Sequence, residues 1–233
     1  MRLLPPATSR VASVLSPALG LLFALSGCGS PGSGPGASGG ASTSVRALAT
    51  EAAPAPGPSE DVAIFAGGCF WCEETAFEGV PGVLSVLSGY TGGHVDGPSY
   101  DEVCEGDTGH AEAVYVRFDP ARVTYAQLLD VFWHNVDPTQ RGGQFCDRGT
   151  QYRSAVFPRG AAQRAAAEES RARVAQLLPG EIVTEVTDAQ VFWVAEAYHQ
   201  DFYRTHPTRY AEYRLGCGRD ARLRAVWGDL AGH

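Results

Sequence analysis

A cysteine between a short apolar run and a helical segment constrains this chain more than any other feature. Residues 62–66 form the apolar run, two glycines end it, and Cys69 follows them directly. Residues 70–78 have helical character with acidic side chains in the first turns, which the positive end of a helix dipole favours. The pattern predicts a buried strand, a glycine turn and a helix that begins at Cys69.

A cysteine at the start of a helix is suited to nucleophilic chemistry. The unpaired N–H groups and the dipole of the helix stabilise a thiolate, so we expect the pKa of Cys69 to be lowered. The thiolate is the nucleophilic form of cysteine. Cys72 follows at a spacing that permits a local disulfide. By themselves, the two cysteines fit a thioredoxin-like redox pair, half of a zinc site or two structural residues.

The rest of the domain combines short strands with helices. The predicted strands are residues 83–90, 113–118, 154–157 and 181–186, and the predicted helices are residues 124–135, 161–178 and 194–205. Thr124 and Gln127 supply a capping box for the clearest helix. Intermixed strands and helices with Gly-rich loops indicate an α+β fold, a two-layer sandwich with a mixed β-sheet. The C-terminal tail beyond these elements is expected to be irregular.

Residues 1–27 have the pattern of an export signal. Arg2 and Arg10 flank the start of the segment, and residues 11–25 form a mostly apolar stretch of 15 residues, short for a membrane span of about 20. The sequence Leu-Ser-Gly-Cys that ends at Cys28 resembles the lipobox of bacterial lipoproteins, in which the cysteine is acylated. We therefore expect an exported lipoprotein, anchored in the membrane on the periplasmic or extracytoplasmic side. An ordinary signal peptide with a nearby cysteine is the alternative.

Residues 28–59 contain the lipidated Cys28 and a linker to the folded domain, residues 60–233. After Cys28, Gly, Ser, Pro and Ala fill 25 of 31 positions, and no aromatic residue occurs. Such a segment buries too little apolar surface to offset its ordering entropy, and it forms a tether of roughly 30 Å. The net charge of −8, without a basic face or tail, argues against a nucleic-acid partner.

Four further motifs follow the Gly-Cys-Phe-Trp stretch in a fixed order. They are Gly-Tyr-Thr-Gly-Gly at 89–93, Tyr-Asp-Glu-Val-Cys at 100–104, Gly-Asp-Thr-Gly-His-Ala-Glu at 106–112 and Asp-Arg-Gly-Thr-Gln-Tyr-Arg-Ser at 147–154. Together the five motifs closely resemble the peptide methionine sulfoxide reductase A family, over residues 61–227. The resemblance implies a reductase for the S epimer of methionine sulfoxide, free or in proteins. With it we expect a ferredoxin-like core with extended loops, and neither cofactor nor metal.

The resemblance also assigns roles within the active site. These are Cys69 as attacking thiolate, Glu112 as general acid, Tyr100 and Tyr152 as donors to the substrate oxygen, Asp147 as the acid that orders the polar side, and Phe70 and Trp71 as the pocket for the substrate methyl group. The chemistry requires such groups, because a sulfoxide is reduced when a soft thiolate attacks sulfur and an acid protonates the oxygen. A carboxyl that faces an apolar pocket has a raised pKa and holds that proton.

Attack leaves a sulfenic acid on Cys69, which condenses readily with a nearby thiol. The candidates for this resolving role are Cys72, Cys104, Cys146 and Cys217. We expect Cys217 to resolve, because it lies in a glycine-flanked tail segment that can swing inward. Cys72 is second, because the intervening helical turn would keep its sulfur away. The resemblance implies that a thioredoxin-like reductant then reduces the disulfide.

The sequence departs from the best-known members of this family at three cysteine positions. Cys72 replaces a glycine, Cys146 precedes Asp147 in place of a residue without a thiol, and one tail cysteine, Cys217, remains. These departures affect the recycling of the enzyme and not the reductase step. With the expected anchor, the predicted role is the repair of oxidised envelope proteins.

Three other interpretations stay open from the sequence. A metal site would combine Cys69, Cys72, Cys104 or Cys146 with His94 or His110. A thioredoxin-like disulfide oxidoreductase would use the first two cysteines and give no task to the carboxyl and tyrosine motifs. A surface lipoprotein that retains only the scaffold would have no activity, although Cys69 and Glu112 are both present.

Overall fold

A six-stranded mixed sheet lies at the centre of residues 50–232, the part of the chain that this computed structural model describes. The expected signal peptide, Cys28 and the linker up to residue 49 lie outside the described residues. In chain order, the elements are β1 (Asp61–Gly67), α1 (Phe70–Glu78), β2 (Val83–Thr91), α2 (Tyr100–Glu105), β3 (Ala111–Phe118), α3 (Tyr125–His134), β4 (Gly143–Gln144), β5 (Asp147–Arg148), β6 (Ser154–Val156), α4 (Ala161–Leu177), β7 (Glu185–Val186), β8 (Trp193–Val194), α5 (Phe202–Thr205), α6 (Pro207–Cys217) and α7 (Arg219–Trp227).

The strand order in the sheet is β7-β6-β1-β3-β2-β8. The β6–β7 pair is parallel, and the other neighbours in this sheet are antiparallel. Strands β4 and β5 form a separate two-stranded ladder. Helices α1, α3 and α4 contribute to a core on one face of the sheet. The α+β fold with a mixed sheet is therefore confirmed.

Side chains of the central strands alternate between the two faces of the sheet. Phe65 of β1 stacks on Phe77 of α1, with ring centroids 5.1 Å apart, whereas Ile64 belongs to the core on the opposite face. On β3, Val114 lies in the helix-covered core. Glu112 shares its face, because residues two apart in a strand point to the same side. The strand thus carries an acid beneath the start of α1.

The predicted strand, glycine turn and helix are confirmed at β1 and α1. Cys69 is the N-cap of the helix, and its own side chain makes no capping hydrogen bond. Gly68 has a φ of +91°, a conformation that glycine adopts without strain. A Cβ atom at Gly67 would lie 2.4 Å from a carboxylate oxygen of Glu73, so this turn leaves no room for a side chain.

The sequence analysis missed α2 and was wrong about the C-terminal tail. Helix α2 begins with a capping box in which Ser99 and Glu102 exchange hydrogen bonds. The tail after residue 205, expected to be irregular, contains α6 and α7. The helix predicted at 194–205 is wrong over most of its length, because Val194 belongs to β8 and α5 covers only Phe202–Thr205. Pro207 begins α6, where its fixed φ suits the first helical turn, and Gly218 ends it with a φ of +67°. The glycines at 216 and 218 obscured two helices that are separated by one residue.

Part of the segment assigned by composition to the linker contacts the domain. The backbone N–H of Ala53 donates to the carbonyl of Phe192 at 2.8 Å, and the Tyr115 hydroxyl donates to the carbonyl of Pro54 at 2.9 Å. Residues 50–54 therefore lie against the edge of the sheet. Between residues 50 and 232, no helix has the length and apolar character needed to cross a membrane.

Candidate active site

Two buried thiols lie together at the start of α1. Cys69 is 6% exposed and Cys72 is 1% exposed, and both are free thiols. The two thiols are hydrogen-bonded to each other. The turn of helix between them therefore does not keep the Cys72 sulfur away, contrary to the expectation from the sequence.

The charges around these thiols are divided between the two sides of the pair. Burial, the hydrogen bond that the Cys69 thiol donates to Cys72, and the carboxyl groups of Glu112 and Asp147 raise the pKa of Cys69 well above its ordinary value. The hydrogen bond from Cys69, together with the guanidinium groups of Arg219 and Arg214, lowers the pKa of Cys72 to about 6. The expected lowering at Cys69 is therefore wrong for the free enzyme, because desolvation and nearby acids outweigh the helix dipole.

Glu112 lies beside the nucleophile in a form that holds a proton. Its side chain is 2% exposed, and its Oε2 accepts a hydrogen bond of 3.1 Å from the backbone N–H of Phe70, the residue after Cys69. Burial raises the pKa of Glu112 well above its ordinary value, more than this hydrogen bond lowers it. Burial thus favours the neutral, protonated form of the carboxyl, which is positioned at the same turn as the thiol.

The two predicted tyrosines and Asp147 surround the same space. Burial raises the pKa of Tyr100 and of Tyr152, and both hydroxyls also interact with the charges of Glu112, Asp147 and Cys69. Both remain phenols and keep an O–H donor at neutral pH. Tyr100 is the first residue of α2, and its backbone N–H donates to Glu196 at 2.8 Å. Five predicted residues are therefore close together.

The two predicted pocket residues form an aromatic wall at the start of α1. Trp71 stacks on Phe202 of α5, with a centroid separation of 3.7 Å, and its indole N–H donates to Nδ1 of His199 at 3.2 Å. Phe70 packs 4.9 Å from the His199 ring and 6.5 Å from the Tyr100 ring. The sequence analysis missed His199, which fixes the Trp71 ring through the indole nitrogen.

Helix α6 supplies a second group of residues that the sequence analysis missed. The Tyr213 hydroxyl donates to Oδ2 of Asp147, and its ring meets the Trp71 ring edge-on at 5.8 Å. The Tyr210 hydroxyl hydrogen-bonds Cys72, and Arg214 donates to Tyr210 at 3.2 Å. The spacing 210, 213, 214 places these side chains on one helical face, a signal that the sequence contains.

Arg219 is a buried cation next to the turn that precedes Cys69. The side chain is 1% exposed and pairs with Glu73, which is fully buried. It also donates to the carbonyls of Gly67 at 3.3 Å and Asn135 at 2.7 Å. A residue of α7 therefore fixes the turn before Cys69, and its positive charge faces Cys72.

Cys217 is bonded to Cys146 and not to Cys69 in this structure. The Cys146–Cys217 disulfide joins the end of α6 to the residue before β5. The Cys146 side chain is exposed and that of Cys217 is half-buried. One sulfur of this disulfide, that of Cys146, lies 3.7 Å from Oδ1 of Asp147, so the disulfide borders the active site.

The metal site considered from the sequence is not assembled around His110. Its Nε2 lies 2.8 Å from the carbonyl of Val95, and its Nδ1 accepts from the backbone N–H of Gly93 at 3.2 Å. Both ring nitrogens are therefore engaged in ordering the loop before β3. His110 has no free nitrogen to offer a metal with Cys69 or Cys72.

Comparisons with known proteins show which family this chain belongs to. The sequence profile of the family described as "Peptide methionine sulfoxide reductase" matches residues 61–231. The chain is 52% identical over 188 residues to "Peptide methionine sulfoxide reductase MsrA 2" of Caulobacter vibrioides, which covers 79% of this chain and 95% of that protein. It is 48% identical over 170 residues to "Peptide methionine sulfoxide reductase MsrA" of Bacillus licheniformis, over 72% of this chain and 94% of that protein.

Two solved structures have a similar fold. The reduced form of Mxr1 from Saccharomyces cerevisiae has a TM-score of 0.63 and 29% identity, over 66% of this chain and 90% of that chain. Methionine sulfoxide reductase A of Corynebacterium diphtheriae has a TM-score of 0.57 and 32% identity, over 65% of this chain and 77% of that chain. Since the profile match spans nearly all of the described domain, the chain belongs to the peptide methionine sulfoxide reductase family.

Proposed function

We propose that Cys69 attacks the sulfur of methionine sulfoxide while Glu112 protonates its oxygen. The attack transfers the oxygen to Cys69 as a sulfenic acid and releases methionine. A sulfoxide oxygen is a poor leaving group, so the proton must arrive as the bond breaks. Because the charge of an ionised Glu112 would raise the pKa of Cys69 further, the neutral form of Glu112 that burial favours is also the form beside which the thiolate forms more readily.

One observation carries this proposal. The backbone N–H of Phe70 donates to Glu112, so the acid is held one residue from the nucleophile. Both side chains are almost fully buried. A neutral acid and a soft nucleophile that meet in an apolar space favour an uncharged, polarisable substrate such as a sulfoxide.

The surrounding side chains orient the substrate in this proposal. Tyr100 and Tyr152 donate to the oxygen, and Phe70 and Trp71 contact the methyl group, since aromatic rings pack favourably on methyl and sulfur groups. Asp147 orders the polar side. Donors on one side and apolar rings on the other distinguish the two sulfoxide epimers, and by resemblance the S form is the substrate.

Cys72 is the thiol best placed to resolve the sulfenic acid of Cys69. The two thiols are already in contact, and the lowered pKa of Cys72 supplies a thiolate near neutral pH. The sequence analysis preferred Cys217, which lies in the disulfide with Cys146. Condensation of Cys69 with Cys72 releases water and forms a disulfide. A thioredoxin-like reductant finally supplies the two electrons that reduce this disulfide.

Turnover of separate epimers tests the function. Purified protein with dithiothreitol is given the S or the R epimer of a blocked methionine sulfoxide, and methionine release is measured. We expect turnover of the S epimer and none of the R epimer. Disulfide reduction without sulfoxide turnover would instead indicate a thioredoxin-like oxidoreductase.

An exported, membrane-anchored location is part of the same proposal. It is supported by the lipobox-like sequence at Cys28 and by the Gly/Ser/Pro/Ala-rich tether after it. Such an enzyme would repair oxidised envelope proteins. Cys28→Ala should move the protein from the membrane fraction to the soluble fraction while turnover of the S epimer is kept. Equal membrane retention of the variant would contradict the lipid anchor.

A further inference from the structure

We propose that Cys146 and Cys217 form a second redox centre. Their thiols reduce the buried Cys69–Cys72 disulfide, and the new disulfide between Cys146 and Cys217 lies at the surface. This inference rests on the proposed function, because methionine sulfoxide is its oxidant. It assigns to Cys146 the role of a recycling cysteine.

The two cysteine pairs differ in access to solvent and in redox state. Cys69 and Cys72 are thiols and are at most 6% exposed. Cys146 is exposed and is already in the disulfide with Cys217. A protein reductant needs to reach a sulfur atom to attack it. The exposed pair meets that requirement, whereas the buried pair does not.

Helix α6 connects the two pairs through one face. Tyr210, Tyr213, Arg214 and Cys217 are spaced so that they share this face. Tyr210 hydrogen-bonds Cys72, Tyr213 donates to Asp147, and Cys217 is bonded to Cys146. The helix that carries Cys217 is therefore already docked over the buried thiols.

Asp147 is a neighbour of both cysteine pairs. A carboxylate oxygen of Asp147 and the sulfurs of Cys146 and Cys217 all lie within 4.8 Å of one another. The same carboxylate also interacts with Cys69. Asp147 thus connects the surroundings of the attacking thiol with those of the exposed disulfide.

Helix α6 can shift at low cost when the disulfide is reduced. None of its residues is fully buried. Gly218 follows Cys217, with a φ of +67° and open space around its α-carbon. An element with few buried contacts and a glycine hinge moves more easily than the core.

The transfer balances as two thiol–disulfide exchanges. The Cys217 thiolate attacks the Cys72 sulfur of a Cys69–Cys72 disulfide and releases Cys69 as a thiolate. The Cys146 thiolate then attacks the Cys217 sulfur and releases Cys72. The two thiolates released take up the protons lost by Cys146 and Cys217, so no other oxidant or reductant is needed. The products are two buried thiols and one exposed disulfide, the arrangement observed here.

The count of methionine released without a reductant tests the transfer. Fully reduced wild-type protein with excess blocked methionine S-sulfoxide should release two methionines through these four cysteines, one for each disulfide. The double variant Cys146→Ser/Cys217→Ser should release one methionine fewer. Leu215→Ala, on the exposed face of α6, is the matched control and should release as many as the wild type.

Mass mapping gives a second measurement that needs no variant. After a single equivalent of sulfoxide, the remaining thiols of the wild type are alkylated and its peptides are analysed. We expect a Cys146–Cys217 bridge with Cys69 and Cys72 alkylated. A lasting Cys69–Cys72 bridge, with equal yields from wild type and double variant, would overturn the second redox centre and leave the proposed function intact. No methionine from any variant would overturn both.

Discussion

Glu112 and Asp147 are two carboxyl groups of one site with different partners. Glu112 is buried and receives one backbone hydrogen bond, from Phe70. Burial also raises the pKa of Asp147, but the hydrogen bond from Tyr213 and the charge of Arg219 favour its ionised form. Different environments thus favour the protonated form of Glu112 and the ionised form of Asp147. Glu112 is therefore suited to act as the acid, and Asp147 to act as a charged positioning group.

The role of Glu112 is tested by removing its proton without changing its shape. Glu112→Gln should slow the reductive step by roughly 10²–10⁴-fold, the usual contribution of a general acid. The loss should appear in a single turnover, measured as methionine released before any thiol recycling. A single-turnover rate equal to that of the wild type would mean that another group donates the proton.

The buried imidazole ring of His199 makes the free energy of unfolding depend on pH. Burial lowers its pKa from 6.5 to about 3. Below about pH 6.5 the unfolded chain binds a proton at this position and the folded chain does not, so stability is lost as the pH falls toward 3. The slope from this group is at most about 1.4 kcal/mol per pH unit.

His199→Gln removes this titration and keeps an acceptor for the Trp71 indole N–H. The free energy of unfolding of the variant should therefore fall less steeply than that of the wild type between pH 6.5 and pH 4, as measured by urea unfolding. Above pH 7 the two proteins should show the same slope. Parallel curves throughout the acid range would contradict a neutral, buried ring.

At the scale of the elements, the two glycines that flank α1 differ in the space around them. The N-terminal side of the helix is crowded, because a Cβ atom at Gly67 would lie 2.4 Å from a Glu73 oxygen. Its C-terminal side is open, because a Cβ atom at Gly79 would have no neighbour within 4 Å. Crowding therefore requires glycine at position 67, before the helix, but not at position 79, after it.

This contrast gives a matched pair of variants. Gly67→Ala should lower the free energy of unfolding by roughly 1–3 kcal/mol, because the new methyl group displaces the Glu73 carboxyl. Gly79→Ala should change it by less than about 1 kcal/mol, since its φ of −79° suits alanine. Urea unfolding measures both. Equal losses in the two variants would show that the turn before Cys69 is not crowded.

The elements that the sequence predicted well are those with a local signal. The helix at 70–78, the capping box at Thr124 and the strand around Val114 follow from spacing and capping. The motifs with a family resemblance named Cys69, Glu112 and the tyrosines. In contrast, Tyr213, His199 and Arg219 act through partners at least 66 residues away, which no local pattern indicates.

At the scale of the whole molecule, one buried ion pair joins the end of the domain to its beginning. Arg219 and Glu73 are separated by 146 positions, and both are almost fully buried. Breaking one partner of such a pair leaves an uncompensated charge, which costs about 3–5 kcal/mol. The pair also holds the Gly67 carbonyl, so the effect extends to the nucleophile.

Variants of this pair separate charge from packing. Arg219→Met should lower the free energy of unfolding by about 3–5 kcal/mol. The double variant Arg219→Met/Glu73→Gln should recover much of this loss, because neither position of the pair then carries a charge. Urea unfolding of both proteins measures the difference. An equal loss in the single and double variants would mean that Arg219 acts by packing alone.

The link between Arg219 and the turn at Gly67 also has a consequence for biosynthesis. Arg219 follows the turn that it secures by 152 residues, so the turn is synthesised well before its partner. A ribosome-bound or prematurely ended chain that stops before Arg219 leaves Glu73 without its cation next to Cys69. The start of α1 is thus secured only after Arg219 has been synthesised, and chains that end before it are exposed to proteolysis.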